Sequence, residues 1–534
     1  MIDVKLLMEK MTLKEKIGQM FLMDFVGKED LTKDLIELND KSLLGGVIFF
    51  SGSNVEDIEQ LHRLTSKIQS YVVRNKFNIP FFITLDQEGG QLSALYKGNT
   101  IFPGNMALGF TNDIDMAYKI GNHIGKELKY AGISINFAPV LDVSYDSKKG
   151  IPIVDNRMFS SDPEVVARMG SAMIKGLQDA GIIACGKHFP GQRLTERDTH
   201  HALDIIDYSL RRLKRVEFYP FKKAIESGLE AIMIHHAVYK VLDDKPASLS
   251  PVVLNYLRKK MKFSGITITD DLIMKAIEDN YGQEKAVEMA INAGNDLIII
   301  SGGKDWVIDF VYDSVRKGKI KEDRINESVN RILNMKVKYS IGKIECRKKF
   351  SIRIGNKISY EVSKKALILY SKKRDIFPLK KILNKKDKLG VILANPARLV
   401  MSDTVNFYDI SLKDVILRKK YHKKVKEAIM PWNPTDEEML SLFDIGFVSN
   451  PLIFLTVNGY RFRREIEILK NIRNDMPEKI IISVALRSPM DAKLLEPYSD
   501  AVIITGGITP LQIEALIDTI FRDGKFVKRE VKNI

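Results

Sequence analysis

The sequence predicts an α/β protein in which a (β/α)8 barrel of the TIM type precedes a second α/β domain. Eight short apolar runs alternate with helical segments up to about residue 300, which is the strand count of such a barrel. Further strand-like runs resume after a basic, glycine-containing connector at residues 339–350. With 534 residues, of which 45% are hydrophobic, the chain is long enough for two domains with large cores.

The eight apolar runs are predicted to be the strands of the barrel. They are short and lack helical periodicity, which is typical of buried strands. They lie at residues 19–25, 46–50, 81–85, 133–138, 182–185, 231–234, 266–269 and 296–300. The first and the eighth runs fit a buried helix equally well.

Helix start and stop signals lie between these runs. Thr12 and Glu15 form a capping box that starts a helix. Asp162 can cap a helix whose first position is Pro163, and Gly181 stops that helix. Its apolar face contains Val166, Met169, Met173 and Leu177. Residues 113–132 show a helical pattern that also ends in glycine.

The net charge of +15 comes from 83 basic and 68 acidic residues that are spread thinly along the chain. Modest basic clusters at residues 372–374 and 418–426 lack the interleaved aromatic side chains that stack on nucleic-acid bases. We therefore expect a solvated surface and no nucleic-acid partner.

The chain has only two cysteines, Cys185 and Cys346, which excludes a disulfide framework and favours a reducing, cytoplasmic location. Its beginning lacks the apolar run of a signal peptide, and no stretch of eighteen consecutive apolar residues occurs. We expect a soluble protein without a membrane partner. No metal-ligand spacing occurs, and the Gly506-Gly507 pair is not followed by a phosphate-loop lysine, so no metal or other cofactor is expected.

Polar and ionisable side chains follow five consecutive predicted strands. In a (β/α)8 barrel the carboxyl ends of the strands meet at one rim, where the active sites of this fold lie. A single carboxylate at a strand end is more often structural, but five such strand ends in a row indicate a site. The residues are Asp86, Gln87 and Glu88 after strand three, Asn136 and Asp142 after strand four, Lys187 and His188 after strand five, His235 and His236 after strand six, and Asp270 and Asp271 after strand seven.

Nine segments of the sequence carry a family resemblance. In chain order they read MTLKEKIGQM, DQEGG, FPGNMALG, INFAPVLDV, NRMFSSDP, KHFPG, DTH, PASLSP and ITITDDLIMKAI. In this order and approximate spacing they resemble glycoside hydrolase family 3, and most closely its β-N-acetylglucosaminidase branch. The resemblance covers about residues 8–345.

The resemblance implies the catalytic residues. In the family, a carboxylate at the end of strand seven attacks the anomeric carbon, and water then releases the sugar with its configuration retained. Asp270 matches this nucleophile, whereas Asp271 is expected on the opposite face of the strand. The branch uses a histidine held by an aspartate as general acid and base, and Asp198 with His200 matches that dyad. A histidine titrates near neutral pH, and an adjacent aspartate supports its protonated form.

The resemblance also implies a set of sugar-binding residues. They are Asp86, Arg157, Lys187 and His188, with a weaker case for His236. Structural alternatives exist for three of them, since Asp86 can cap a helix and His188 can lie in the core. Arg157 can pair with Asp155 or Asp162 instead of a ligand.

Two motifs depart from the family pattern. After KHFPG, the usual His-Gly-Asp is replaced by Gln192, Arg193 and Leu194, and after DQEGG the usual arginine is replaced by Gln91. Because Arg193 replaces a glycine that can adopt a positive φ, we expect the loop that carries the dyad to follow a different path.

Apolar runs beyond the connector predict the second domain. Its strands are expected at residues 366–370, 389–394, 452–457, 480–486 and 501–504, with a helix at 510–522, in a mainly parallel sheet. By resemblance this domain is the αβα sandwich that follows the barrel in two-domain family members, with a structural or rim-forming role. We expect the barrel at residues 1–338, a linker at 339–358 and the sandwich at 359–534.

The sequence therefore predicts a retaining exo-β-N-acetylglucosaminidase that acts on small glycosides. Three alternatives stay open. The enzyme can be a phosphorylase, since a neutral histidine does not repel a phosphate dianion, or a β-glucosidase of the same family. It can also be a sugar-binding protein that has lost turnover through its altered loop. The sequence indicates no oligomeric state.

Overall fold

A computed structural model describes residues 3–144, 155–192, 203–302, 306–343, 349–396 and 410–527. Two hydrophobic cores organise this part of the chain, one inside and around a barrel and one inside a sandwich. Among the described residues, no helix is long and apolar enough to cross a membrane.

Eight parallel strands form the barrel, as predicted. They are β1 (Phe21–Met23), β2 (Gly46–Ile48), β3 (Phe82–Leu85), β4 (Ile135–Asn136), β5 (Ile183–Phe189), β6 (Ala231–Ile234), β7 (Ile266–Thr269) and β8 (Ile298–Ile300). Strands β1 to β7 pair successively in chain order, and β8 pairs with β1. A bridge between Ile268 and Leu297 links β7 to the entry of β8 and closes the ring. The first and eighth runs are therefore strands and not buried helices.

Helices surround the barrel. Their bounds are Val4–Lys10, Leu13–Gly18, Lys33–Ser42, Ile58–Val72, Asn105–Thr111, Ile114–Ala131, Pro163–Asp179, Leu210–Arg215, Phe218–Glu226, Pro251–Asn255, Lys275–Tyr281, Gln283–Ala293, Val307–Arg316 and Glu322–Lys338. The predicted capping box of Thr12 and Glu15 is present. Asp162 caps its helix by accepting a hydrogen bond from the backbone N–H of Glu164, as the Asp-Pro signal predicted.

The sandwich contains a six-stranded, mainly parallel sheet. Its strands are β9 (Ile368–Lys372), β10 (Leu389–Ala394), β11 (Val425–Met430), β12 (Leu452–Thr456), β13 (Ile481–Ala485) and β14 (Ala501–Ile504), in the spatial order β9-β14-β13-β12-β10-β11. Only β9 runs antiparallel to its neighbour. The sequence did not predict β11, because this edge strand is partly exposed and mixes charged with apolar residues instead of forming an apolar run.

Helices cover the sheet and connect it to the barrel. In the sandwich they are Leu412–Arg418, Asp436–Val448, Arg463–Asp475, Met490–Leu495 and Pro510–Asp518. The last continues directly into a π-helical turn, Thr519–Asp523, so the predicted helix at 510–522 is present. A further helix, Ile352–Lys365, joins the two parts of the chain. From it, Ser359 Oγ donates to the backbone oxygen of Ile101 (2.7 Å) and Lys365 Nζ donates to Asp113 (2.9 Å). Met106, Ala107 and Phe110 of the barrel pack into the sandwich core, so the two parts are in direct contact.

Candidate active site

The polar residues at the carboxyl ends of β3 to β7 lie at one rim of the barrel, as the strand order requires. Because all eight strands are parallel, their carboxyl ends share that rim. Lys187 and His188 are the fifth and sixth residues of β5, Asp86 follows β3 directly, and Asp270 follows β7 directly.

A buried ion network joins Asp86, Glu88, Lys187 and Arg157. Lys187 Nζ contacts Asp86 Oδ1 at 2.5 Å and Glu88 Oε1 at 2.6 Å. Arg157 donates two hydrogen bonds to the same glutamate, from Nε to Oε2 at 2.9 Å and from Nη2 to Oε1 at 2.7 Å. Arg157 thus pairs with Glu88, while Asp162 caps its helix; the side chain of Asp155 lies outside the part of the structure that is described. The Asp86 side chain is the most accessible member, with 28% exposure against 2–3% for Glu88 and Lys187.

The network keeps its buried charges ionised. Burial disfavours the Glu88 carboxylate, but the charges of Arg157 and Lys187 outweigh it and lower the pKa of Glu88 to about 2. Burial likewise disfavours the Lys187 ammonium, and Asp86 and Glu88 overcome that effect and raise its pKa. Such fixed charges beside an accessible carboxylate suit the recognition of sugar hydroxyls by charge-assisted hydrogen bonds.

His188 is oriented by a buried carboxylate. Asp142 Oδ2 lies 2.7 Å from Nδ1 of the ring, and Asp142 Oδ1 accepts the backbone N–H of His188 at 3.1 Å. The same oxygen accepts the backbone N–H of Gln192 at 2.7 Å. Asp142 therefore fixes both the imidazole and the start of the segment after KHFPG, and the contact of His188 with substrate stays a prediction.

Both ring nitrogens of His236 contact protein groups. Nδ1 lies 2.8 Å from Ser248 Oγ, and Nε2 lies 3.0 Å from the backbone oxygen of Asp271. Since a carbonyl oxygen only accepts, Nε2 donates to it, and Nδ1 accepts from the serine when the ring is neutral. This arrangement places His236 as a support of the β7 end, and its contact with substrate stays a prediction.

Asp270 and Asp271 differ in environment despite their adjacency. Burial disfavours ionisation of Asp270, but His236 and His188, together with the backbone N–H of Asp271 (2.9 Å from Oδ1), lower its pKa to about 2. Burial raises the pKa of Asp271 to about 6, and its carboxylate accepts hydrogen bonds from Ser301 Oγ (2.5 Å) and the N–H of Ile273 (3.2 Å). Asp270 is therefore the more acidic of the two carboxyl groups, whereas Asp271 holds the loop after β7.

Three residues of this site had no assigned role in the sequence-based prediction, namely Glu88, Asp142 and His235. His235 is 2% exposed and lies 5.9 Å from the ring of His188. Its burial, reinforced by His188, lowers its pKa to about 3, so the ring is neutral. Their positions at strand ends were the available signal, but only the folded chain pairs them with their partners.

The predicted acid/base pair, Asp198 and His200, lies outside the described residues, as do Arg193 and Leu194 of the altered loop. Asp86, Arg157, Lys187 and His188, by contrast, are brought to the same rim as Asp270. Within the described residues, no cluster of three or more His, Cys, Asp or Glu side chains could hold a metal ion.

Sequence comparison agrees with this geometry. Residues 12–335 match the Glycosyl hydrolase family 3 N terminal domain. The chain belongs to glycosyl hydrolase family 3. The predicted family, the predicted fold class and the predicted glycoside hydrolase class are thus confirmed.

Within family 3, curated relatives and a solved structure resemble the chain. Beta-hexosaminidase A of Pseudoalteromonas piscicida is 30% identical over 371 residues, which cover 61% of each protein. Beta-hexosaminidase of Nitrosomonas eutropha is 33% identical over 292 residues, which cover 53% of this chain and 81% of that protein. The structure of a family 3 beta-N-acetylglucosaminidase from Paenibacillus sp. str. FPU-7 is 29% identical, with a TM-score of 0.87 over 97% of this chain and 98% of the other.

Proposed function

We propose that the protein is a retaining exo-β-N-acetylglucosaminidase that removes terminal β-linked N-acetylglucosamine from small glycosides in the cytoplasm. The observation that carries the proposal is the state of Asp270. It directly follows β7, at the rim expected for the nucleophile, and its pKa of about 2 leaves it ionised at neutral pH despite its burial. The similarity to the Paenibacillus beta-N-acetylglucosaminidase over nearly the whole chain supports the choice of sugar.

In this mechanism Asp270 attacks the anomeric carbon and forms an ester while the glycosidic oxygen leaves with a proton. The N–H of Asp271, 2.9 Å from Oδ1, orients the carboxylate for that attack. Lys187, Asp86 and His188 bind hydroxyls of the sugar ring, and Arg157 acts mainly by holding Glu88 in contact with Lys187. The network thus positions the sugar, and Asp270 supplies the nucleophile.

The proposed proton donor is His200, held by Asp198. The segment that contains them lies in the chain between two residues or pairs that are fixed. Before it, the backbone N–H of Gln192 donates to Asp142 at the rim, and after it, Ile205–Ile206 forms a short parallel pairing. Val238–Tyr239 forms that pairing with Ile205–Ile206. His200 would give its proton to the leaving oxygen and then accept one from the water that hydrolyses the ester.

The test compares initial rates on 4-nitrophenyl β-glycosides of N-acetylglucosamine and of glucose, with and without added phosphate. We expect the higher kcat/KM for the N-acetylglucosaminide and no rate gain or sugar 1-phosphate with phosphate. A preference for the glucoside would favour a β-glucosidase, and formation of the sugar 1-phosphate would favour a phosphorylase. Either result would contradict the proposed function.

The nucleophile is tested by trapping. A slow fluorinated glycoside should leave a covalent adduct on the peptide that contains Asp270, as read by mass spectrometry, and Asp270→Ala should show neither adduct nor turnover. Asp271→Asn is the matched control, because its carboxylate contacts Ser301 and Ile273, and it should still form the adduct. An unlabelled wild-type enzyme, or an adduct that persists in Asp270→Ala, would refute the assignment.

A further inference from the structure

Arg487 of the sandwich domain lies between two loops of the barrel rim and contacts a residue of each. Arg487 lies two residues after the end of β13 and is only 1% exposed. The backbone of the preceding Leu486 is fixed on both sides, since its N–H donates to Thr456 and its oxygen accepts from Gly507 at 2.6 Å. The position of this arginine is therefore set by the sheet of the sandwich.

The guanidinium of Arg487 reaches residues that are 396 and 331 positions away in the chain. Its Nη1 donates to Gln91 Oε1 at 2.7 Å, and its Nη2 donates to Asn156 Oδ1 at 3.2 Å. Gln91 is itself 4% exposed and Asn156 7% exposed, so all three polar groups are held away from bulk water. One cation of the second domain thus joins two separate loops of the barrel.

Both loops carry members of the buried ion network. Gln91 lies three residues after Glu88, and Asn156 immediately precedes Arg157. The turn that contains Asn156 is also held from its other side, where Asn105 Nδ2 donates to the backbone oxygen of Arg157 at 2.8 Å. Loss of Arg487 would release one side of this turn and the loop that follows Glu88.

Close backbone packing transmits any shift between these loops. Gly90 has a φ of +60°, and a Cβ there would lie 3.1 Å from the backbone of Gly104. A Cβ on Gly104 would in turn lie 3.3 Å from the backbone oxygen of Asn156. The backbone at Gly104 therefore lies close to both loops, so a displacement of one loop is expected to affect the other.

From these contacts we propose that Arg487 is a positioning residue of the active site. It acts through Gln91 and Asn156 to hold Glu88 and Arg157, and therefore Lys187, in the geometry that binds the sugar. The proposal deepens the glycosidase assignment and rests on it for its kinetic readout. It gives the sandwich a role in catalysis that is more specific than stabilising the barrel.

The physical basis is the fork geometry of arginine. A planar guanidinium can bridge two acceptors in fixed directions, whereas a lysine ammonium acts as a point charge on a flexible stem. Removal of the guanidinium leaves two buried side-chain amide oxygens without these donors, so both loops must rearrange to satisfy them. We expect that rearrangement to displace Glu88 and Arg157 together.

The kinetic experiment compares Arg487→Gln, Arg487→Lys and Arg473→Gln in the full-length protein. The substrate is the aryl glycoside that the wild type hydrolyses fastest. Arg487→Gln should lower kcat/KM by about 10- to 100-fold, and Arg487→Lys should lower kcat/KM by a smaller factor. Arg473 is a matched control, because its hydrogen bonds to Tyr498 and Asp500 stay inside the sandwich; Arg473→Gln should lower the melting temperature but keep kcat/KM.

A double-mutant cycle tests the path through Gln91. The cycle compares kcat/KM of the two single variants, Arg487→Gln and Gln91→Ala, with that of the double variant. If Arg487 acts through Gln91, the fold-decrease in kcat/KM of the double variant should be smaller than the product of the two single fold-decreases. Multiplicative losses would mean that the two residues act independently, which contradicts the proposal.

Amide hydrogen exchange supplies a readout that does not depend on turnover. Arg487→Gln should accelerate exchange in peptides that cover residues 86–91 and 156–160, and Arg473→Gln should not. The proposal is overturned if Arg487→Gln keeps wild-type kcat/KM, if Arg473→Gln loses as much, or if exchange in those peptides is unchanged. A wild type that hydrolyses no glycoside would contradict the glycosidase assignment alone, because the exchange comparison still decides the role of Arg487.

Discussion

Replacement of Glu88 by glutamine tests the buried ion network directly. The amide has the shape of a protonated glutamate. The substitution therefore removes the favourable charge interaction of Arg157 and Lys187 with the ionised carboxylate. Those cations overcome the effect of burial and lower the Glu88 pKa from 4.5 to about 2. At about 1.4 kcal/mol per pKa unit, this difference corresponds to about 3 kcal/mol of unfolding free energy at pH 7. We expect Glu88→Gln to lower the free energy of unfolding at pH 7 by that amount.

The sign of the pH dependence follows from the lowered pKa. A carboxylate with a folded-state pKa below its unfolded value stabilises the protein above the unfolded pKa, here 4.5, and loses that effect as pH falls towards 2. The loss of unfolding free energy in Glu88→Gln should therefore shrink from about 3 kcal/mol at pH 7 to about half of that or less at pH 3.

Urea unfolding read by tryptophan fluorescence can isolate the barrel. The chain has two tryptophans, Trp306 in the barrel domain and Trp432 in the sandwich. In a Trp432→Phe background, the signal reports the barrel alone, which avoids treating a two-domain protein as one cooperative unit. The unfolding midpoint and slope are measured at pH 7 and at pH 3 for the background and for the Glu88→Gln variant.

An exposed ion pair provides the control. Asp179 pairs with Lys175 on the helix surface at 2.8 Å, and Asp179→Asn should leave the barrel transition unchanged. Unfolding of Glu88→Gln at the same urea concentration as its background at pH 7 would refute the proposed stabilisation by the ionised Glu88. An equal loss of unfolding free energy at pH 7 and at pH 3 would refute it as well.

Further predictions concern the acid/base chemistry. Asp142→Asn should lower kcat/KM by about 10- to 100-fold without a matching loss of melting temperature, because His188 loses the carboxylate at Nδ1. His200→Ala should spare glycosides with activated leaving groups more than poor ones, because only poor leaving groups need a proton; equal losses on both would contradict its role. In an Asp271→Asn background, the acidic limb of kcat/KM should have its half-point below pH 4, since neighbouring imidazoles overcome burial and lower the Asp270 pKa to about 2.

The barrel could be predicted because its signals are local. Each buried parallel strand is a short apolar run, and the helix after Asp162 begins where an Asp-Pro pair places a cap and a first residue. The edge strand Val425–Met430 carries no such signal, since one side faces solvent and Lys426 and Glu427 interrupt the apolar pattern. Its place beside β10 depends on backbone pairing and not on composition.

The chain order of polar residues was enough to predict which side chains gather at the rim, because parallel strands in a barrel present all their carboxyl ends to one side. Which of these side chains pair was decided only in three dimensions. Arg157 contacts Glu88 across 69 positions, His188 contacts Asp142 across 46, and Arg487 reaches Gln91 across 396. Periodicity and capping act over a few residues, whereas these pairs depend on which loops the closed barrel and the docked sandwich bring within hydrogen-bond distance. The same packing excludes water from Glu88 and Asp270, and that burial, together with the charges beside it, sets their ionisation.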